Sequence, residues 1–519
     1  MSVPTGLRRR RWSWAVAAAA VVGVLCGTPG VASAADDNEP ARVAVAAKYA
    51  ALGGPSGTLG AAVGSLSCDG LDYAYRCVQD YERGAISWAR LGGTYAVTDP
   101  AVFARWAASG AEPAYRTIGQ PTADTFCGLA GGGCGQHFER GSIYWSPPVG
   151  RALLVDEEAR DDWRVLGWER GPMGFPVTEE ECTLREDGCI QRFTGGAVYS
   201  SSDPYVTSAV VAGPVADRWA AQGWERGPLG YPTSSTFCGL RGGGCGQHFR
   251  GGSVYSTPAG TFVVDGARRE LWAAQGWENG ALGYPTSGAF RTQSWGDGQH
   301  FEGGSIYASV GQTIVVPDPI RAKWGSLGWE RSVLNTPTTP AFCGLRDGGC
   351  GQHFMGGSVY TSRSGTFTVM LPFRDRWAAE GWENGRLGYP TSDKFEGLYT
   401  RGQAFQGGTV YTYNGNLHLV PSSLLGAYAA QGWERGGLGL PTSEAFCGLR
   451  NGGCGQHFRG GSIYTRAAGA GGVAVPTVIE RAWAASGWES GRYGYPIGAA
   501  YAVPNGTAQA FEGGVLTVG

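Results

Sequence analysis

The stretch "FCGLRGGGCGQHF" at residues 237–249 sets Cys238, Cys245 and His248 within eleven residues, spaced C-x6-C-x2-H. Thiolate and imidazole are the donors of a tetrahedral zinc site, which would need a fourth ligand at a fixed spacing. In an oxidising compartment the same cysteines would instead close a disulfide beside an unrelated histidine. The choice decides where the chain works.

The chain carries its own comparison, because the pattern recurs. Its cysteines pair locally as Cys68/Cys77, Cys127/Cys134, Cys182/Cys189, Cys238/Cys245, Cys343/Cys350 and Cys447/Cys454. Related stretches around residues 297 and 402 lack both cysteines, and none keeps only one. The thirteenth, Cys26, lies in the N-terminal segment. All-or-none loss is what a disulfide requires. The histidine behaves independently: "GQHF" at 298–301 has no cysteine, and Arg192 stands where a histidine would follow Cys189. No fourth ligand recurs. The reading is six stapled hairpins, with no metal and no cofactor. Closing a loop of about eight residues stabilises each by roughly 2–3 kcal/mol through the unfolded chain.

Two further sets of positions recur. Gln79, Gln136, Gln191, Gln247, Gln299, Gln352, Gln403, Gln456 and Gln509 each precede an aromatic residue by two and a glycine by five. Such an amide bridges buried backbone groups in a turn-rich fold, or holds a sugar hydroxyl. A "GWE" tripeptide places Trp168, Trp224, Trp277, Trp329, Trp382, Trp433 and Trp488 each before a glutamate. An exposed indole face stacks on a pyranose ring while a carboxylate accepts hydroxyl hydrogens; a buried one belongs to the core. These tryptophans, with Gln191, Gln247, Gln299, Gln352, Gln403 and Gln456, are the candidate glycan-binding residues. His137, His248, His300, His353 and His457 alternate with Arg192 and Ala404. A catalytic base would not tolerate that exchange, so they read as surface residues. No Ser/His/Asp set stands in unrepeated sequence, and no GxSxG elbow occurs. A glycosidase needs two carboxylates in one cleft, whereas here one glutamate recurs with the repeat. No catalytic residue is assigned, and the chain is not expected to be an enzyme.

The elements that carry these residues repeat as well. "MGFP" at Met173 recurs as "LGYP" at Leu229, Leu282 and Leu387, "LGLP" at Leu438 and "YGYP" at Tyr493. Looser copies are "LGAA" at Leu59, "IGQP" at Ile118 and "LNTP" at Leu334, with steps of 51 to 59 residues. Each unit predicts a two-turn helix opened by a proline (Pro100, Pro214, Pro319, Pro372, Pro421, Pro476) at its first position. A glycine such as Gly223 closes it. About four short strands follow, for which "STFC", "CGQHF", "SVYST" and "TFVVD" serve as the example. The expected fold is mainly β with one short helix per unit. Nine β-rich units of about 53 residues would form a tandem-repeat stalk, each too small to bury a core alone. The boundaries fall at 35–97, 98–156, 157–211, 212–264, 265–316, 317–370, 371–420, 421–475 and 476–519. The first and ninth units are atypical caps, the ninth truncated before its final strand.

Residues 1–34 read as a cleaved signal peptide, with "RRRR" at 8–11, an apolar run at 12–26 and "ASA" at 32–34. No later segment is apolar enough to span a membrane. The first 34 residues carry four arginines and no acid, leaving 37 basic and 43 acidic side chains, a net charge near −6. That balance excludes a nucleic-acid partner. Glycine is abundant at 89 residues, yet 42% hydrophobic residues and 19 tryptophans exclude a disordered chain.

"MGFP", "LGYP", "GWERGPLG" and the "FxGGSVY" strand resemble the LGFP repeat family. The resemblance implies an actinobacterial, secreted, cell-wall-associated protein with β-rich units stacked into an elongated stalk. It also implies attachment to peptidoglycan–arabinogalactan polysaccharide, made here by many weak contacts in series. The alternative is a structural stalk that engages a protein partner in the envelope. A kelch-type propeller shares the period, but its tyrosine and tryptophan lie close together, whereas Tyr255 and Trp272 are 17 residues apart. A monomeric stalk predicts small-angle scattering with a radius of gyration well above the roughly 23 Å of a 485-residue globule. A value at the globular figure would contradict it.

Overall fold

The computed structural model describes residues 38–71, 74–110, 116–201, 209–292, 296–309, 311–397, 399–467 and 470–519. The signal peptide expected at residues 1–34 lies outside them. Two compact parts are present, Met1–Leu154 and Val155–Gly519. Among the described residues, nine short helices alternate with nine antiparallel sheets, seven of four strands and two of three.

The unit at 212–264 shows the plan. A helix, Gly213–Ala220, leads into a single 3-10 turn, Trp224–Arg226. Four strands follow, Phe237–Cys238, Cys245–Phe249, Gly252–Thr257 and Gly260–Asp265, each paired with the next. The helix is too short to be stable alone. It is held because Val215 and Trp219, four residues apart on one face, are both buried. Only Pro100 opens its helix as expected, and Pro214 takes the second position. Pro319, Pro372, Pro421 and Pro476 instead stand one residue earlier, as N-caps. Pro421 and Pro476 still end the preceding strand with extended backbone, so the helix begins after them. In 157–211 the first strand shrinks to one bridge between Glu181 and Ile190. The ninth unit has three strands and no fourth.

The core is shared between neighbours. One cluster takes Tyr255 and Val264 from the sheet of one unit, and Trp272, Leu282, Tyr284, Phe301 and Ile306 from the next. The same division recurs around Trp219, Trp324, Trp377, Tyr428 and Trp483. Removing such a tryptophan leaves a cavity costing about 3–5 kcal/mol. The first unit differs, with a cluster of its own around Cys77, Tyr81 and Ile86.

The four-residue motif sits where two units meet, and each position has its task. Leu229 is buried in the shared cluster. Gly230 adopts a left-handed φ of 65°, and its carbonyl accepts the indole N–H of Trp219 at 3.1 Å. The phenol of Tyr284 donates to the carbonyl of Arg241 at 2.7 Å, in the turn of the preceding disulfide hairpin. Tyr389 reaches Arg346 in the same way at 2.6 Å. The motif prolines lie beside the second strand, Pro232 opposite Phe249 and Pro285 opposite Phe301. In "LNTP" Asn335 replaces the glycine at φ 59°, and the indole nitrogen of Trp324 is buried with no hydrogen-bond partner.

All six predicted disulfides are formed: Cys68–Cys77, Cys127–Cys134, Cys182–Cys189, Cys238–Cys245, Cys343–Cys350 and Cys447–Cys454. Five join directly opposed residues of the first and second strands. Cys182–Cys189 stands beside the single Glu181–Ile190 bridge instead. The six staples differ in span and burial. Cys68–Cys77 spans nine residues where the others span seven. In every pair the second cysteine is the less exposed, because it lies on the inner strand. Cys77 is fully buried in the core of the first unit, and Cys134 is also buried. Cys454 is only half-buried, and its N–H donates to Thr465 Oγ1 at 3.0 Å.

The hairpins also make room for the motif tyrosine of the next unit. A Cβ on Gly349 would lie 2.2 Å from the Tyr389 hydroxyl, and one on Gly244 would lie 2.5 Å from that of Tyr284. Units five and seven lack the cysteines, and the motifs that follow them have Thr336 and Leu440 instead of tyrosine. Tyr231, Tyr284, Tyr389 and Tyr495 are therefore partners of the disulfide hairpin before them, whereas Gln120 and Phe175 stand at the tyrosine position after the first two hairpins. Tyr389→Phe should lower stability by about 1 kcal/mol, the worth of one hydrogen bond. Gly349→Ala should cost more, about 1–3 kcal/mol, by overpacking. Thermal unfolding of the oxidised protein measures both, and equal melting temperatures would contradict the pairing.

Candidate functional site

The glutamines face inward. Gln247, Gln299, Gln352, Gln403, Gln456 and Gln509 are 0% exposed, and Gln191 is 1% exposed. The side-chain N–H2 of Gln352 donates to Val315 O at 3.0 Å and to Thr339 O at 2.9 Å. The first carbonyl lies on the last strand of the preceding unit, the second on the glutamine's own connector. Gln247 bridges Val210 and Ser234, Gln299 Val263 and Ser287, and Gln403 Thr368 and Ser392. Gln456 bridges Leu419 and Ser443, and Gln509 Ala474 and Gly498. Gln136 donates to Ala123 O, and the less buried Gln79 reaches Val63 O and Gly64 O. As folded, the amides of Gln247, Gln299, Gln352, Gln403, Gln456 and Gln509 bridge main chain between units and do not present themselves to a ligand. A second side chain completes the cap at several joints. Ser235, Asp393 and Glu444 accept the N–H of the same strand residues, Val210, Thr368 and Leu419.

The GWE tryptophans occupy an unusual backbone. Trp168, Trp224, Trp277, Trp329, Trp382, Trp433 and Trp488 all have φ between 55° and 58°, a region costing a non-glycine residue about 1–2 kcal/mol. The glycine before each is also left-handed, as at Gly223 with φ 91°. The two residues reverse the chain after the helix. Each indole then meets the helix aromatic edge-on, with Trp272 and Trp277 centred 5.2 Å apart at 78°. The following glutamates are less accessible than a sugar-binding carboxylate should be. Glu225, Glu278 and Glu383 are 5–7% exposed, and Glu278 accepts from the neighbouring Asn279 at 2.7 Å.

The repeated histidines are partly buried, with the His457 side chain 44% exposed. His248 lies between the rings of Phe237, at 5.2 Å, and Trp277 of the next unit, at 5.1 Å. Its Nδ1 pairs with Ser253 Oγ at 2.8 Å. Burial, and then the charge of Arg269, push its pKa below the ordinary histidine value. His300 and His353 cover Trp329 and Trp382 at 5.6 and 5.7 Å. Their exchangeability reflects a covering role: a flat, half-buried ring can be lost without unfolding the joint.

Two tryptophans differ. Trp224 is 43% exposed and Trp433 41% exposed, and they follow the units whose histidine is replaced by Arg192 and Ala404. Around Trp224 the replacement is coordinated. Glu181, Ile190, Arg192 and Ala197 stand where the next unit has Phe237, Gly246, His248 and Ser253. A Cβ on Gly246 would lie 2.7 Å from the Phe237 ring. Ile190 is therefore possible only because that phenylalanine is absent. Arg192 pairs with Glu181 at 3.2 Å.

An acidic cleft of about 450 Å³ lies nearby, lined by Asp156, Glu157, Glu158 and Glu180 with Ser200 and Ser201. Burial, then the Asp156 carboxyl, pushes Glu180 up to about 7. Glu180 also approaches Cys182 and Cys189, but these sulfurs are bonded to each other and offer no thiolate. The run "TEEEC" at 178–182 was the available signal for this cleft.

The side-chain oxygen of Gln247 accepts from Thr236 at 2.8 Å, whereas that of Gln456 is buried with no partner. Ala445 occupies the position equivalent to Thr236. Ala445→Thr should supply the missing donor and raise stability by about 1 kcal/mol. Denaturant unfolding should show a higher midpoint at unchanged slope, and a lower midpoint would contradict this account of the joint.

The LGFP repeat profile matches eight times, over residues 67–113, 118–171, 173–227, 229–280, 282–332, 334–385, 387–436 and 438–491. Seven of these copies begin on a motif residue, at 118, 173, 229, 282, 334, 387 or 438, and run through the next helix. They thus follow the shared core. No curated protein matches the chain. Similar solved structures include two extracellular domains from B. thetaiotaomicron, of a one-component and a hybrid two-component system, and the tricorn protease. Identities are 9%, 10% and 9%, with 85%, 77% and 77% of this chain covered. The chain spans 63%, 44% and 38% of those chains, at TM-scores of 0.12, 0.12 and 0.10. With its motif residues at the joints and eight copies across residues 67–491, the chain belongs to the LGFP repeat family.

Proposed function

We propose that this is a secreted, cell-wall-associated repeat protein of the bacterial envelope. It holds wall polysaccharide through non-catalytic contacts repeated along the chain. The observation that carries the reading is the row of GWE tryptophans, presented at one equivalent position after another. Family membership and six local disulfides, which persist in oxidising surroundings, support an extracellular setting. No described helix is long and apolar enough to cross a membrane, so attachment would come from the polysaccharide. The protein would act as a monomer, gaining avidity because linked weak sites raise each other's effective concentration.

The exported chain should sediment with isolated bacterial walls and stay in solution when their polysaccharide has been removed. Binding should survive moderate salt, because a net-acidic chain gains little from an anionic wall. Equal sedimentation with stripped walls would favour the stalk that engages a protein partner.

A further inference from the structure

The exposed tryptophans divide the repeated surface into covered and open joints. At Trp277, Trp329 and Trp382 the histidine of the preceding unit lies on the indole at 5.1–5.7 Å. A sugar ring would have to displace that imidazole. At Trp224 the imidazole is gone, and a cleft of about 240 Å³ stands in its place, with Ile190, Arg192, Ala197, Val211 and Trp224 among its lining.

We propose that this cleft is a binding site for one neutral sugar ring of a polysaccharide, with Trp433 a second open face of the same kind. The proposal rests on the polysaccharide-binding reading above and replaces many equivalent contacts with two. The cleft is smaller than the roughly 300–1,000 Å³ of a drug-sized pocket, so it takes a single ring. Its walls are largely apolar, suited to the C–H face of a pyranose against the indole. Arg192 lines the cleft and is neutralised by Glu181 at 3.2 Å. It offers donors to hydroxyls without a net charge that would select an anion. Four replacements clustered at one joint (Glu181, Ile190, Arg192 and Ala197) turn a covering aromatic pair into this polar rim. At Trp433 one change is enough, since Ala404 leaves the indole uncovered while Phe395 remains.

The test converts joints into one another in the full exported chain. Glu181→Phe, Ile190→Gly, Arg192→His and Ala197→Ser together recreate the covered joint that the neighbouring units already fold with. His248→Ala does the reverse and opens Trp277. Binding is followed by tryptophan fluorescence against neutral polysaccharide released from isolated walls. The covered variant should lose affinity about tenfold or more, as expected when one of two linked contacts goes, and His248→Ala should gain affinity. Wild-type affinity in the covered variant would overturn this proposal and leave polysaccharide binding standing. No binding by the wild-type chain would overturn both. Binding of stripped walls by the wild type but not by the covered variant would assign the cleft to a protein partner and overturn the sugar.

Discussion

An open sheet edge must be satisfied or covered, and the architecture of residues 155–519 follows from how this is done. The last strand of each small sheet leaves N–H and C=O groups unpaired along its outer side. A buried glutamine of the next unit takes the carbonyl of one central residue, as Gln352 does at Val315. At some joints an acceptor such as Asp393 takes the N–H of the same kind of residue. Each cap consumes one buried amide, and an unmet carbonyl there would cost about 1–3 kcal/mol. In the fourth to ninth units the glutamine closes the edge of the unit before it.

Once the edge is closed from the neighbouring unit, the hydrophobic core must be shared as well. The strand tyrosine and valine of one unit complete the pocket for the helix tryptophan of the next. The motif glycine receives that tryptophan's N–H, and the motif tyrosine reaches back to the preceding hairpin. These links hold consecutive units in one geometry and present the GWE tryptophans at regular positions. At Trp277, Trp329 and Trp382 the histidine of the unit before covers the indole, whereas Trp224 and Trp433, which follow Arg192 and Ala404, are exposed.

Much of this was legible in the sequence. The all-or-none cysteines pointed to the disulfides, and the motif spacing to the repeat and the alternation of helix and sheet. The unequal burial of the staples was not legible, because Cys77, Cys134 and Cys454 share one motif position and differ only in what packs around it. Pro421 and Pro476 were misplaced by one position because a strand residue in extended backbone can serve as the helix N-cap, whereas Pro319 and Pro372 lie between strand and helix. The histidines were misread as surface because their exchangeability resembles that of solvent-facing residues. A ring covering a neighbouring unit's indole is equally exchangeable, and sequence alone does not show the neighbour. The link between Tyr389 and its disulfide hairpin was visible as a correlation, since Thr336 and Leu440 follow the cysteine-free units. Reading it required knowing that the partners belong to different units. The cleft at Trp224 was hidden for the same reason.

The dependence of one unit's sheet on the next unit's glutamine is tested most directly by native-state hydrogen exchange on Gln352→Leu. The account predicts lost protection on both sides of the joint, in Gln312–Pro317 of the preceding unit as well as in Cys350–Phe354. Loss confined to Cys350–Phe354, with Gln312–Pro317 as protected as before, would contradict it.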